Sequence, residues 1–108
     1  NAKESQILDG NIHLPKIIQH GDMTPDNVLL SDNSVCLIDY DYVGQSTLPG
    51  FDLINFLSKI RPDPMILELS CEKYFLLYFK SIGAKIESYK ILLPFYHQEE
   101  IKRKNKLS

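Results

Sequence analysis

The hydrophobic and polar positions divide the chain into a front half of short apolar segments and a back half of helical periods. Residues 3–19 begin polar and turn apolar at Ile7, Leu8, Ile12, Leu14, Ile17 and Ile18. Asp9-Gly10-Asn11 breaks that run as a turn, and Pro15 prevents a regular helix through it. Two short apolar segments, 28–30 and 35–38, are joined by Ser31-Asp32-Asn33-Ser34, a cluster of turn-forming residues, and predict a β-hairpin. From Gly50 onward the period lengthens. Phe51, Leu53, Ile54, Phe56, Leu57 and Ile60 fall on one broad face of a helix. Arg61-Pro62-Asp63-Pro64 ends it, and Asp63 or Pro64 can start the next. Over residues 65–82 apolar side chains wrap most of the circumference around Phe75 to Phe79, so this helix is expected to be the best buried. Gly83 is placed to close it. A third helical stretch, roughly 86–104, contains Pro94, which is expected to kink or interrupt it.

Composition narrows the class. A chain of 108 residues is one small domain or a piece of a larger protein. It is 44% hydrophobic and 24% charged, with a formal net charge of -2, a balance that does not point to nucleic acid or an anionic membrane as partner. No apolar run is long enough to span a bilayer and no signal peptide is visible. Cys36 and Cys71 lie in apolar segments without metal-ligand spacing, which reads as buried, reduced thiols in a cytoplasmic protein. The basic run Lys102-Arg103-Lys104-Asn105-Lys106 has no interleaved aromatics and reads as a solvated, frayed helix end. Tyr74, Tyr78, Phe79, Tyr89, Phe95 and Tyr96 read as core and not as a pocket lining, and His13 and His97 as structural. There is no initiator Met, and Asn1-Ala2 fits a tag remnant, so the chain is expected to be the C-terminal portion of a longer protein.

Candidate chemistry concentrates between Ile17 and Asp41. A polar loop, His20-Gly21-Asp22-Met23-Thr24-Pro25-Asp26-Asn27, precedes the hairpin, and Asp39 follows its second strand. A hairpin carries the chain out and back, so its geometry brings Asp22, Asn27 and Asp39 together. Two carboxylates and an amide oxygen make a hard, oxygen-only site suited to Mg²⁺. Residues 17–58 hold Asp22, Asp26, Asp32, Asp39, Asp41 and Asp52 without any Lys or Arg. Asp32 belongs to the turn and Asp26 to a cap or the surface. Asp39, directly after an apolar strand, is costly to hold near Asp22 unless a cation joins them. Asp52, in a helix's first turn, suits the helix dipole.

His20-x-Asp22-x-x-x-x-Asn27 followed by Ile38-Asp39 resembles the catalytic-loop and metal-binding pair of the kinase-like phosphotransferases. Gly21 and Pro25 make it most similar to the aminoglycoside phosphotransferase and choline kinase branch. The stretch from Leu37 to Tyr42, with Gly50-Phe51-Asp52-Leu53, resembles choline and ethanolamine kinases in particular. The likeness covers roughly residues 17–58, about two-fifths of the chain. It implies Asp22 as the catalytic group that orients the acceptor hydroxyl and takes its proton. It implies Asn27 and Asp39 as Mg²⁺ ligands, His20 as structural support of the loop, and Asp52 as its brace. Gly21 stands where protein kinases carry an Arg that reads a phosphorylated activation loop. Asp39-Tyr40-Asp41 departs from the kinase pattern by lacking a Gly after the aromatic residue. Asp41 and Tyr42 are therefore candidates for a second metal or for a cationic acceptor.

The implied fold is mainly α with a short β-hairpin, the C-lobe of a protein-kinase-like (α+β) phosphotransferase. Residues 1–108 would form a single domain with catalytic loop 20–27, metal-binding turn 39–41 and helical remainder 51–104. The implied activity is ATP-dependent transfer of the γ-phosphate to a small alcohol acceptor, choline, ethanolamine or an amino sugar. ATP and Mg²⁺ are the cofactors, and the N-terminal lobe of the same protein is the missing partner, since no Gly-rich phosphate loop and no strand with a nucleotide-binding Lys is present. The alternative is a non-catalytic kinase-like binding module, inactive in isolation for want of that lobe. Metal-assisted hydrolysis by water is a third reading of the same ligands.

Overall fold

In the computed structural model, which describes residues 4–8, 12–60, 63–86 and 88–107 (the side chains of 104, 106 and 107 excepted), four short strands precede three helices. Strands β1 (Ser5–Leu8) and β2 (Ile12–Pro15) form one antiparallel hairpin, with Ser5 opposite Pro15 and Leu8 opposite Ile12. A single 3-10 turn, Pro25–Asn27, leads into a second hairpin, β3 (Val28–Ser31) with β4 (Ser34–Leu37), where Val28 faces Leu37. Helices α1 (Phe51–Ile60), α2 (Pro64–Ser81) and α3 (Leu93–Leu107) follow, with a 3-10 turn at Tyr89–Leu92 before α3. The fold is mixed α+β and carries two hairpins where the sequence pattern predicted one. Each β1 and β2 strand is four residues long, too short for alternation to stand out. Pro15 terminates β2, a position where a missing N–H breaks no ladder. The turn expected at Asp9-Gly10-Asn11 lies outside the described residues, as do Arg61 and Pro62, expected to end the first helix.

Helix starts follow local chemistry. The Asp63 side chain accepts from the amides of Met65 (2.9 Å) and Ile66 (3.2 Å), capping α2 with Pro64 in its first turn. Pro94 sits in the first turn of α3 and does not kink it; the N–H it lacks has no partner to lose there. The basic run continues α3 as helix to Leu107, contrary to the frayed end expected of it.

Phe75 is the hub of the core, with ring centroids 5.8 Å from Phe79, 5.4 Å from Tyr89 and 5.9 Å from Tyr96. Around it pack Leu14 of β2, Leu48, Phe51 and Leu57, Cys71, and Leu92. Of α2 only Cys71, Phe75 and Phe79 are buried, a stripe spaced by four residues. Met65, Leu69, Leu76 and Leu77 are 57–73% exposed, so α2 is not the well-buried helix its composition suggested. Its main neighbours are α1 and the Tyr89–Leu92 turn, and the stripe of Cys71, Phe75 and Phe79 is the face it buries. Burial pushes the Cys71 thiol up to about 11, with Glu72 adding to the shift. Cys36, expected to be buried, is exposed on β4. No helix among the described residues is long and apolar enough to cross a membrane.

Candidate active site

The loop that carries Asp22 is anchored on both sides before it reaches that residue. The Ile17 amide donates to the Thr47 carbonyl (2.9 Å), the Gln19 amide to the Ser46 carbonyl (3.1 Å), and the Gly44 amide back to the Gln19 carbonyl (3.0 Å). Gln19, His20 and Gly21 are buried there. Gly21 has φ 91°, and a Cβ on it would lie 2.6 Å from the Tyr42 carbonyl oxygen and 2.7 Å from the Tyr42 Cβ. Both the left-handed backbone and the close approach require glycine.

Asp52, in the first turn of α1, accepts from the His20 amide at Oδ2 (2.7 Å) and from the Gly21 amide at Oδ1 (2.9 Å). Its own amide donates to Gln19 Oε1 at 2.9 Å. One carboxylate thus satisfies two backbone donors of the loop, which would otherwise be orphaned in a buried segment. The start of α1 is fixed in turn by Gly50 (φ 90°), where a Cβ would meet Phe75 at 2.7 Å, and by the Tyr96 hydroxyl, which donates to the Pro49 carbonyl at 2.7 Å. Burial raises the Tyr96 phenol, which keeps it a donor, and also raises Tyr78 against the pull of Gln19 and the Gly50 backbone.

His20 is used up by structure. The Asp22 amide donates to its Nδ1 (3.2 Å), so the ring proton sits on Nε2 and is donated to the Ile38 carbonyl at 2.8 Å. The imidazole therefore ties the loop to the end of β4 and has no nitrogen left for proton transfer. Its ring lies 5.2 Å from that of Tyr40.

Asp22 and Asn27 are in direct contact. Asn27 Nδ2 donates to the Asp22 carbonyl (2.8 Å) and to Asp22 Oδ2 (3.1 Å), and Thr24 bridges the intervening turn by backbone bonds of 2.9 Å to each. The Ile38 amide donates to the Asn27 carbonyl at 3.0 Å, so the hairpin mouth sets Asp39 one residue from that bond. No described hydrogen bond joins the Asp39 side chain to Asp22 or Asn27. Its Oδ1 accepts only a long bond from the Asp41 amide, 3.4 Å, and both acids are exposed. Asp39 has φ 61°, the one non-glycine residue with positive φ among those described. Asp tolerates this backbone better than most residues.

Arg103 of α3 joins the site although nothing local in the sequence pointed to it. Its Nη1 donates to the Gly21 carbonyl (3.0 Å) and to Asp22 Oδ1 (3.1 Å). Its guanidinium lies 5.4 Å over the ring of Tyr42. The residue that pairs with Asp22 thus stands 81 positions away, inside a run of basic residues that looks like a solvated tail. Between loop and helix lies a cavity of about 230 Å³ whose lining includes Gly21, Tyr42, Ser46, Phe51, Glu99 and Arg103. Tyr42, expected near an acceptor or a second metal, lines that cavity and lies under the Arg103 guanidinium.

The donor chemistry suits a hard cation: with the Asn27 amide nitrogen committed to Asp22, its Oδ1 and the exposed Asp39 carboxylate are oxygen donors of the kind Mg²⁺ takes. Among the described residues no three His, Cys, Asp or Glu side chains cluster as a ready metal cage. A cation held there would draw its other ligands from phosphate oxygens and water, as Mg²⁺ commonly does. A family model described as the phosphotransferase enzyme family matches residues 2–80. No curated protein and no solved structure matches the chain significantly.

Proposed function

The chain belongs to the phosphotransferase enzyme family, the aminoglycoside phosphotransferase and choline kinase group, and on that premise we propose that it is the C-lobe of an ATP-dependent small-molecule kinase. The observation that carries the proposal is Asp22, its two oxygens separately gripped and its backbone held by the Asp52-braced loop. Asp22 orients the acceptor hydroxyl and takes its proton as the bond to phosphorus forms. Asn27 and Asp39 hold Mg²⁺, which when bound offsets the charge of the nucleotide phosphates. His20 and Asp52 keep the loop in place.

The favoured acceptors are choline, ethanolamine or an amino sugar. Asp41 and Tyr42, with the half-exposed Tyr40 beside them, are the groups to meet a cationic acceptor or a second metal. The exposed apolar side chains of β3 and β4, Leu29, Leu30 and Val35, together with the bare face of α2, are surfaces for the nucleotide-binding lobe to cover. Two unpaired cysteines agree with a cytoplasmic setting.

The test is phosphate transfer by the intact protein to choline, ethanolamine and amino sugars, with and without Asp22→Asn. The substitution should lower kcat by about 10²–10⁴-fold, the contribution of a positioned acid–base group. Near wild-type turnover would remove Asp22 from its role.

A further inference from the structure

Arg103 has more of its bonding capacity engaged than a surface cation has. Its side chain is 18% exposed and that of Asp22 27% exposed, so their 3.1 Å ion pair is partly withdrawn from water. Nη1 serves both Asp22 Oδ1 and the Gly21 carbonyl, and Nη2 lies 3.9 Å from Glu100. The planar guanidinium rests on Tyr42, whose Cβ and carbonyl already press on Gly21. Gly21, Asp22, Tyr42 and Arg103 thus form one packed group.

The two Asp22 oxygens are held from two different elements. Oδ2 receives Asn27 Nδ2 from the hairpin side, and Oδ1 receives Arg103 from the last turns of α3. A carboxylate turns easily about its terminal torsion, which is broad and two-fold. Two separate donors remove that rotation, while each oxygen keeps a lone pair for an incoming hydroxyl. The family match ends at residue 80, so this second grip comes from beyond the matched stretch.

We propose that Arg103 is a positioning residue for Asp22: α3 supplies the second clamp on the base, and the catalytic loop is complete only with α3 docked. The inference rests on the phosphotransferase reading of Asp22. An acceptor hydroxyl that reaches Asp22 meets a carboxylate whose plane is already set, which lowers the entropic cost of reaching the reactive geometry. Lysine would keep the charge but not the shape, because a single ammonium cannot lie on Tyr42 while bridging the Gly21 carbonyl and Asp22.

The experiment compares wild type, Arg103→Ala and Arg103→Lys in the intact protein by steady-state kinetics and by amide hydrogen exchange at Gly21 and Asp22. Arg103→Ala should lower kcat on the order of 10²-fold, the scale of a misplaced reacting group, with the nucleotide KM little changed. Arg103→Lys should fall between the two, and added guanidinium should restore part of the alanine variant's turnover. Wild-type kcat in Arg103→Ala overturns the proposal. If that variant loses its helical circular dichroism, Arg103→Lys decides, and wild-type kcat there overturns it. If the wild type transfers no phosphate, the kinase reading fails, and exchange alone judges the clamp. Arg103→Ala must then speed exchange at Gly21 and Asp22 by about 10-fold or more, as local opening becomes easier, and unchanged exchange overturns it.

Discussion

The segment that carries Asp22 and the segment that carries Asp39 meet at Asn27 but are held in opposite ways. On the Asp22 side, three consecutive residues, Gln19, His20 and Gly21, are buried, and α1, the 44–47 loop and α3 all bond to them. On the Asp39 side a two-stranded ribbon stands with Leu30 79% and Val35 65% exposed, and the Asp39 carboxylate accepts one long bond. An isolated ribbon of that size is marginal without something packed on it. In the proposed mechanism the contrast separates two tasks: the chain's own packing would set the base, Asp22, whereas the arm proposed to hold Mg²⁺ would take its final geometry from what binds to it. A left-handed Asp at that arm costs backbone energy, a pattern common where binding compensates strain.

The two cysteines, Cys36 on the ribbon and Cys71 in the core behind the Asp22 loop, give the widest separation. Cys36 on β4 should react with a small alkylating reagent as an accessible thiol, whereas Cys71, buried and with its thiol pushed up to about 11, should react only after opening of the core. For a domain of ordinary stability that delay is at least about 10³-fold, measured by mass spectrometry of timed labelling. Comparable rates would mean the core is as open as the ribbon.

A smaller effect follows from single side chains. Asp52→Ala leaves the amides of His20 and Gly21 without their acceptor in a buried segment, which should cost about 3 kcal/mol in a urea unfolding series. Leu30→Ser on the ribbon should change stability by less than about 0.5 kcal/mol in the same series. Equal losses at both positions would erase the distinction between the regions.

Much of this arrangement was legible because its signals are local. The turn cluster at Ser31 to Ser34 does close a hairpin, and Asp63-Pro64 does start a helix. The loop from His20 to Asn27 and the Asp39 that follows carried the family likeness, and the family match spans them. Three features escaped for physical reasons. The β1–β2 hairpin is too short for its period to register. The exposure of α2 and of Cys36 depends on which neighbours cover a face, which apolar composition does not encode. Arg103 was hidden because a basic run at a helix end has the same local pattern whether it meets solvent or a carboxylate 81 residues away.

The central claim is that Asn27 and Asp39 share one divalent ion beside Asp22, and paramagnetic Mn²⁺ in place of Mg²⁺ tests it most directly. With nucleotide present, substoichiometric Mn²⁺ should broaden the amide resonances of Asn27, Ile38 and Asp39 in the intact protein while those of β1 and β2 stay sharp, and Asp39→Asn should weaken the effect. Broadening centred elsewhere, or none at all, would contradict the account.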